Sequence, residues 1–275
     1  MLKIGIAGAA GRMGKLLIKA VLEHEATSLV AISARQEDME QMHTHLQREG
    51  LVNVRLVQNV DGLVDLAEAV IDFTAPEYSL SIANACKNNV LKQIAEQIDG
   101  KAKIHICGTT GFDDAQNAIM AQCAKHSRIV RAANFSVGVN LLAKLTKQTA
   151  ATLGIDYDIE IVEMHHHHKK DAPSGTALAL GEAAAAGRNV ALATVAEHGR
   201  VGMVGERVAG NIGFHALRGG DVIGDHHVIF AGNGERIELV HKSSNRRIYA
   251  DGAIRAALWA SSKPNGLYSM LDVLE

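Results

Sequence analysis

The first two dozen residues constrain the fold more than any other part of the chain. An apolar run at residues 2–7 is followed by a turn containing Gly8, Gly11 and Gly14, and then by a helical pattern at residues 15–24. Strand, glycine turn and helix in this order predict a dinucleotide-binding βα unit. Gly8 would allow the tight turn, Gly11 would let the backbone approach a pyrophosphate at the helix start, and Gly14 would allow close helix packing. A plain βα turn is the alternative.

The tip of the second strand bears on which dinucleotide is bound. An apolar strand at residues 29–32 ends in Ser33, Ala34 and Arg35. A protein specific for NADH usually places an acidic side chain here, on the ribose hydroxyls. Because no acid stands at this tip, and because Ser33 and Arg35 could receive a 2′-phosphate, we expect NADPH to be used at least as well as NADH. The alternative is that Arg35 is an ordinary solvated loop residue.

Strands and helices alternate as far as residue 134. Apolar strands are expected at residues 69–73, 104–107 and 129–132, with helices between them. This alternation predicts a parallel sheet, with ligands at the carboxyl ends of its strands. The turns after these strands are therefore expected to hold the rest of the dinucleotide, although ordinary turn chemistry is an alternative. We place the boundary of the dinucleotide-binding domain at residue 134, and a second domain at residues 135–247.

Residues 163–176 concentrate groups that carry protons and bind anions. Glu163 and His165 fall on one face of a predicted strand, a spacing at which a carboxylate can favour a charged imidazole. His165 or the adjacent His166 could supply or relay a proton near neutral pH. With Lys169 close by in the chain, the segment is a candidate active site.

A helix start follows directly. Pro173 fits a helix entry, Ser174 is a good N-cap, and Gly175 and Thr176 open an alanine- and leucine-rich helix that runs to about residue 186. The N–H groups of a first helical turn favour an anion. Together with the lysine, this start predicts a carboxylate-binding site, and a solvated loop before a capped helix is the alternative.

Four consecutive histidines at residues 165–168 raise the question of a metal. Metal-binding helices usually space their histidines at i and i+4, as in HExxH, and the run does not. We therefore predict no metal site here.

Composition excludes several partners. The net charge of −2 leaves no basic surplus, so neither nucleic acid nor an anionic membrane is expected. The N-terminus enters a strand at once, which argues against a targeting leader, and no apolar run reaches the length of a membrane span. Cys86, Cys107 and Cys123 lack CxxC spacing, so we expect reduced thiols in a cytoplasmic protein.

The remainder of the second domain reads as strands rich in glycine. Apolar runs at residues 228–230 and 237–240 flank Gly232, Asn233 and Gly234, which predict a hairpin. The segment RGGD at residues 218–221 receives no role from its pattern. An apolar-faced helix at residues 252–261 is expected to pack back on the first domain.

These motifs resemble those of the 4-hydroxy-tetrahydrodipicolinate reductase (dihydrodipicolinate reductase) family. The resemblance runs nearly end to end, and its most specific motif is the segment EMHHHHKKDAPSGTA beginning at Glu163. It also covers GAAGRMG, DFT, GTTGF, AANFSVGVN and IGF. The resemblance implies an α/β fold, with an N-terminal Rossmann-type domain to which the C-terminal helix, about 248–275, returns. It also implies a C-terminal α+β domain with an open mixed sheet that binds substrate and assembles a homotetramer.

The resemblance further implies an activity and a set of site residues. The activity is the NADPH- or NADH-dependent reduction of a small dicarboxylate, 4-hydroxy-tetrahydrodipicolinate, to tetrahydrodipicolinate in the diaminopimelate and lysine pathway. His165 and Lys169 would be catalytic, and His166, Gly175 and Thr176 would bind the substrate. The cofactor contacts would be Gly8, Ala9, Ala10, Gly11, Arg12, Met13, Ala34, Arg35, Gly108, Thr109, Thr110, Ala133, Asn134, Phe135 and Ser136.

The chain departs from the family pattern in places. His167 stands where Arg is frequent, Lys170 where an aliphatic residue is common, and Ala34 where an acid usually contacts NADH. The segment at residues 87–103 is also longer than is usual in the family. The alternatives to this activity are another two-domain NADP-dependent reductase of an anionic small molecule and a dinucleotide-sensing protein without catalysis.

Overall fold

The computed structural model describes residues 1–97 and 101–275, so part of the long segment at 87–103 lies outside the described residues. The described chain divides into two compact units. Unit 1 consists of Met1–Phe135 and Arg247–Glu275, and unit 2 of Ser136–Arg246. Among the described residues, no helix combines the length and the apolar character needed to cross a membrane.

The elements are numbered in chain order. The strands are β1 (Leu2–Ala7), β2 (Thr27–Ser33), β3 (Arg55–Val57), β4 (Ala69–Asp72), β5 (Ile104–Cys107), β6 (Arg128–Arg131), β7 (Asp158–His165), β8 (Ala196–His198), β9 (Ile212–Arg218), β10 (Gly224–Gly232), β11 (Glu235–Ser243) and β12 (Gly266–Tyr268). The helices are α1 (Arg12–Glu23), α2 (Met39–Arg48), α3 (Val60–Leu66), α4 (Pro76–Ala95), α5 (Asp114–Cys123), α6 (Val137–Leu153), α7 (Gly175–Gly187), α8 (Leu192–Val195), α9 (Arg247–Ala260) and α10 (Met270–Val273).

Unit 1 is built on a parallel sheet. In the described part of the chain its strand order is β12-β6-β5-β4-β1-β2-β3, which confirms the Rossmann-type fold. Strands β4 and β5 are buried along their whole length, as expected of parallel strands with both faces covered. Their carboxyl ends therefore lie at one edge of a rigid sheet.

The C-terminal segment of unit 1 differs from the expected helix at about 248–275. The helix α9 ends at Ala260, and β12 then pairs in parallel with β6, with Leu267 opposite Ile129. Pro264 lies between the two elements, and a helix cannot continue through a proline without losing a hydrogen bond. The chain end thus adds a strand to the sheet as well as packing a helix against it.

Residues 36–50 are polar and rich in Gln, Glu and Met. They form a short 3-10 turn, Gln36–Asp38, and then α2, whose Met42 and Leu46 are buried. These two residues are four apart, so they lie on one face of the helix. A polar helix is thus held by a narrow apolar stripe.

Unit 2 is a mixed sheet with helices on one face, which confirms the α+β prediction. Its order is β11-β10-β7-β9-β8, with β7, β9 and β8 parallel and β10 antiparallel to both of its neighbours. Apolar side chains from alternate strand positions pack under α6 and α7, with Ile159, Ile161, Phe214 and Phe230 at the centre. The predicted hairpin is confirmed, because Gly232 pairs with Glu235 across a two-residue turn.

Candidate active site

The β1–α1 turn has the glycine geometry that the sequence predicts. Gly8 has φ +67°, a left-handed conformation that favours glycine. A Cβ atom at Gly14 would lie 2.4 Å from the Gly8 carbonyl oxygen, so the helix packs too closely on the turn for any side chain. Gly11 is the N-cap of α1 and has no side chain with which to cap it. The first-turn N–H groups therefore lack a side-chain competitor for an anion.

A cleft of about 750 Å³ opens beside this turn. Its lining includes five of the predicted cofactor residues, and three further residues at the end of β4. They are Gly8, Ala10, Gly11, Ala34 and Arg35, with Phe73, Thr74 and Ala75. Ala9 is not among them, because its side chain is fully buried and its N–H donates to the Ser33 carbonyl at 2.8 Å. Arg12 is exposed and Met13 half-buried at the start of α1.

The tip of β2 gives its two polar side chains different surroundings. Ser33 is buried, its hydroxyl is 3.0 Å from the Tyr78 hydroxyl, and both residues line the cleft. Arg35 is 80% exposed and forms ion pairs with Glu37 at 2.9 Å and Asp38 at 3.4 Å. Both residues expected to meet a 2′-phosphate thus line the cleft, and Arg35 is the more exposed of the two.

The tips of β4 and β5 are joined by hydrogen bonds. The Thr109 hydroxyl accepts from the Thr74 N–H at 3.0 Å and from the Ser79 hydroxyl at 2.8 Å. A Cβ atom at Gly108 would lie 2.2 Å from the Phe73 ring, so only glycine fits there. Thr110 is exposed. These contacts place Gly108 and Thr109 beside the turn that lines the cleft.

The segment after β6 mixes exposed and buried positions. Ala133 is exposed and lines a separate hollow of about 390 Å³ together with Arg131 and Tyr268. Asn134 is half-buried, whereas Phe135 is fully buried, with its ring 5.5 Å from that of Phe73. In unit 2, Ser136 caps α6 by accepting from the Val139 N–H at 3.3 Å. The buried side chains of Phe135 and Ser136 thus have structural partners, and contact with a ligand there falls to the backbone.

Asp72, His105 and Cys107 form the one cluster of potential metal ligands within residues 1–97 and 101–275, with ligand atoms within 4.8 Å of one another. All three are fully buried. The Asp72 carboxylate already interacts with His105 at 3.2 Å and accepts from Thr74. The cluster is therefore a hydrogen-bonded group in this structure.

In unit 2, Glu163 is the centre of the candidate catalytic cluster. Its side chain is 1% exposed, and one carboxylate oxygen lies 2.6 Å from Nδ1 of His165, as their shared strand face predicts. The other oxygen accepts from the Ser174 N–H at 3.1 Å. Glu163 thus connects the end of β7 to the start of α7.

Arg218 completes the cluster and was not identified from the sequence. Its guanidinium donates to both Glu163 oxygens at 2.8 Å and to the Asp171 carbonyl at 2.6 Å. Burial by itself raises the pKa of Glu163, but the hydrogen bonds from Arg218 and His165 outweigh it, so this pKa lies below its ordinary value. The only sequence signal was the RGGD segment, and register supplies the explanation, because β9 places Arg218 opposite His165.

The loop after β7 is tied to the turn after β9. The His165 carbonyl accepts from the Gly219 N–H at 2.9 Å, and the His166 N–H donates to the Val222 carbonyl at 2.7 Å. Partial desolvation, and then the charge of Arg246, lower the pKa of His166. His167 and His168 are exposed, so the structure separates them from the buried end of the histidine run.

Lys169 follows on the same loop with a carboxylate partner. Its ammonium lies 2.9 Å from both carboxylate oxygens of Asp171, and its side chain is 19% exposed. Lys170, in contrast, is exposed. The pair with Asp171 holds the Lys169 ammonium in place.

The start of α7 is capped as predicted. The Ser174 hydroxyl accepts from the Ala177 N–H at 3.1 Å, and it lies 3.3 Å from Nε2 of the buried His226 on β10. A Cβ atom at Gly175 would meet nothing within 4 Å, so the backbone is accessible there to a ligand. Thr176 follows in the first turn and is half-buried. Cap and approach together suit a carboxylate.

Comparison with known proteins gives one family for both units. Residues 2–135 match the model of the dihydrodipicolinate reductase N-terminus, and residues 138–274 match that of its C-terminus. The 4-hydroxy-tetrahydrodipicolinate reductase of Beijerinckia indica subsp. indica is 48% identical over 276 residues, covering 99% of this chain and 97% of the relative. That of Dinoroseobacter shibae is 47% identical over 274 residues, covering 98% and 97%.

A solved structure has the same fold. The dipicolinate-bound dihydrodipicolinate reductase from Paenisporosarcina sp. TG-14 superposes with a TM-score of 0.77 and 24% identity, covering 100% of both chains. The two family models together span nearly the whole chain, and the relatives share nearly half of its residues. Both findings give the same assignment. The chain belongs to the dihydrodipicolinate reductase family and is an oxidoreductase.

Proposed function

We propose that this protein reduces 4-hydroxy-tetrahydrodipicolinate to tetrahydrodipicolinate with a reduced nicotinamide dinucleotide, in the diaminopimelate and lysine pathway. The reaction takes up one hydride and one proton and releases one water. Family membership supports the substrate. The observation that carries the chemistry is the cluster in which Glu163 orients His165 and the start of α7.

The cofactor supplies the hydride. In this proposal, it is held by the turn of Gly8, Ala10 and Gly11 and by the tips of β2, β4 and β5. The support is the uncapped start of α1, the positive φ of Gly8, and the cleft of about 750 Å³ beside them. The phosphates would meet N–H groups and the positive end of a helix.

The choice between NADPH and NADH rests on Arg35. This side chain is exposed and could turn to a 2′-phosphate, but its ion pairs with Glu37 and Asp38 would compete. We propose that both cofactors are used, NADPH at least as well as NADH. The test is the ratio of kcat/KM for the two cofactors in the wild type and in Arg35→Ala. A strong NADH preference in the wild type contradicts this proposal, as does an unchanged ratio in the variant.

The substrate carboxylates would be bound by the first turn of α7, at Gly175 and Thr176, and by His166. The capped start of α7 and the open approach to Gly175 support this. Lys169 would donate the proton, since its pair with Asp171 holds the side chain in place. Nδ1–H of His165 donates to the Glu163 carboxylate, so the other ring nitrogen, Nε2, is left to accept or release a proton.

The test measures oxidation of NADPH with freshly prepared 4-hydroxy-tetrahydrodipicolinate. The wild type should turn over, Lys169→Ala should lose about a hundredfold or more in kcat, as is typical for a general acid, and Lys170→Ala should retain activity. No turnover by the wild type rejects the function. Full activity in Lys169→Ala rejects only the role of this lysine.

We also propose a cytoplasmic homotetramer, following the family expectation. The face of the unit 2 sheet opposite α6 and α7 supports assembly, because Leu217 and Val240 are exposed there at 50% and 45%. Sedimentation velocity of the wild type and of Leu217→Glu tests this proposal. A monomeric wild type contradicts it.

A further inference from the structure

His105 and Asp72 form a buried pair that the reaction chemistry leaves without a role. They lie on neighbouring parallel strands, β5 and β4, and each is 0% exposed. Nε2 of His105 is 3.2 Å from one oxygen of the Asp72 carboxylate. A strand with both faces covered is ordinarily apolar throughout, so a histidine here calls for a specific partner.

The other oxygen of Asp72 holds the turn that follows β4. It accepts from the Thr74 N–H at 3.0 Å and from the Thr74 hydroxyl at 2.5 Å. The same N–H also donates to the Thr109 hydroxyl oxygen, which accepts from Ser79 as well. A continuous set of hydrogen bonds therefore runs from His105, through Asp72 and Thr74, to Thr109.

Two members of this network, Thr74 and Thr109, belong to the proposed cofactor site. Thr74 lines the 750 Å³ cleft beside Gly8, and a Cβ atom at Gly8 would lie 2.7 Å from the Thr74 methyl group. Thr109 is among the proposed cofactor contacts. A shift of the Asp72 carboxylate would move both tips, because each is hydrogen-bonded to it directly or through one neighbour.

We propose that His105 is a positioning residue for dinucleotide binding, which orients Asp72 so that Thr74 and Thr109 receive the cofactor. This inference rests on the proposed function, since it takes the cleft to be the cofactor site. His105 itself touches neither cofactor nor substrate.

The electrostatics agree with this geometry. Burial raises the pKa of Asp72, but the hydrogen bond and charge of His105, together with the hydrogen bond from Thr74, outweigh it, so the pKa lies below its ordinary value. Burial lowers the pKa of His105, but Asp72 and Cys107 raise it, to about 9. Asp72 is therefore ionised, and a buried carboxylate without its donor would reorient or take up a proton. Nε2–H of the imidazole donates to it whether or not the ring carries a second proton.

The experiment measures the dissociation constants of NADPH and NADH by titration calorimetry, without substrate. His105→Leu removes the donor and should weaken binding about tenfold, since one buried hydrogen-bonding group loses its partner. His105→Gln can place an amide N–H near the position of Nε2 and should recover most of the affinity. In steady-state assays, KM for the cofactor should rise in His105→Leu while KM for the dicarboxylate stays unchanged.

Ile106→Ala is the matched control. Ile106 is fully buried on the opposite face of β5, so its truncation lowers the unfolding temperature without touching the network. Its cofactor affinity should match that of the wild type. If His105→Leu does not fold, His105→Asn takes its place, because its shorter amide does not reach the position of Nε2, and it should also weaken binding.

The outcomes separate this inference from the function beneath it. If the wild type binds the dinucleotides and His105→Leu binds them with unchanged affinity, the positioning role alone is overturned. The same holds for His105→Asn where that variant is used. Equal losses of affinity in His105→Leu and Ile106→Ala also overturn it, because they would reflect stability only. Absence of binding by the wild type to either dinucleotide overturns the proposed function and this inference with it.

Discussion

The buried position of His226 is expected to make this protein less stable as the pH falls below neutral. The residue is 3% exposed on β10, near Ser174, with its ring centre 5.2 Å from that of His165. Burial, and then the charge of His165, lower the pKa of His226 to about 4. In the unfolded chain the same imidazole titrates near its ordinary value, about 6.5.

The sign and size of the change in the free energy of unfolding follow from this difference in pKa. Between pH 6.5 and 4 the unfolded chain binds a proton that the folded protein does not, so the free energy of unfolding falls as the pH falls through this window. Each pH unit is worth about 1.4 kcal/mol, so the shift of His226 amounts to about 3 kcal/mol. This loss is absent above pH 6.5 and complete near pH 4. The variant His226→Gln cannot titrate and should lose about 3 kcal/mol less than the wild type between pH 7 and 4.

The assay is urea unfolding at a series of pH values, followed by two probes. Trp259, the only tryptophan, belongs to unit 1, so its fluorescence reports that unit, while circular dichroism reports both. The control is His227→Gln, because His227 is half-buried on the opposite face of β10 and should leave the pH dependence unchanged. If His226→Gln loses as much stability as the wild type between pH 7 and 4, the reasoning from burial is refuted.

Three further substitutions test the packing around both sites. Gly14→Ala should lower the free energy of unfolding by about 1–3 kcal/mol and weaken cofactor binding, because its Cβ would lie 2.4 Å from the Gly8 carbonyl oxygen. Thermal unfolding and calorimetry check this, and an unchanged melting temperature contradicts it. Ser174→Ala removes the cap of α7, so it should lower the free energy of unfolding in urea by about 1 kcal/mol and raise KM for the dicarboxylate. An unchanged KM would show that the cap does not contribute to substrate binding. Arg218→Met leaves the buried Glu163 carboxylate without its bidentate partner, so it should lower the free energy of unfolding by about 3 kcal/mol or more, and Arg218→Lys should recover part of this loss. A loss below about 1 kcal/mol, measured by urea unfolding, would show that the pair contributes little.

Features that depend on neighbours in the chain could be read from the sequence. The glycine turn at Gly8, the cap at Ser174 and the shared strand face of Glu163 and His165 all follow from backbone conformation and side-chain period over a few residues. The turn at Asn233 and Gly234 is of the same kind. The fold class also followed, because alternating strands and helices leave few ways to build a sheet.

Features that join distant segments needed the tertiary structure. Arg218 reaches Glu163 across 55 positions of the chain, and His105 reaches Asp72 across 33. The Ser33 hydroxyl likewise meets that of Tyr78, 45 positions further along the chain. The strand β12 also joins the sheet after α9, where the resemblance implied one helix to about residue 275. In each case the partner is chosen by strand order and register, which depend on how the whole core packs, and no local pattern of residues encodes them.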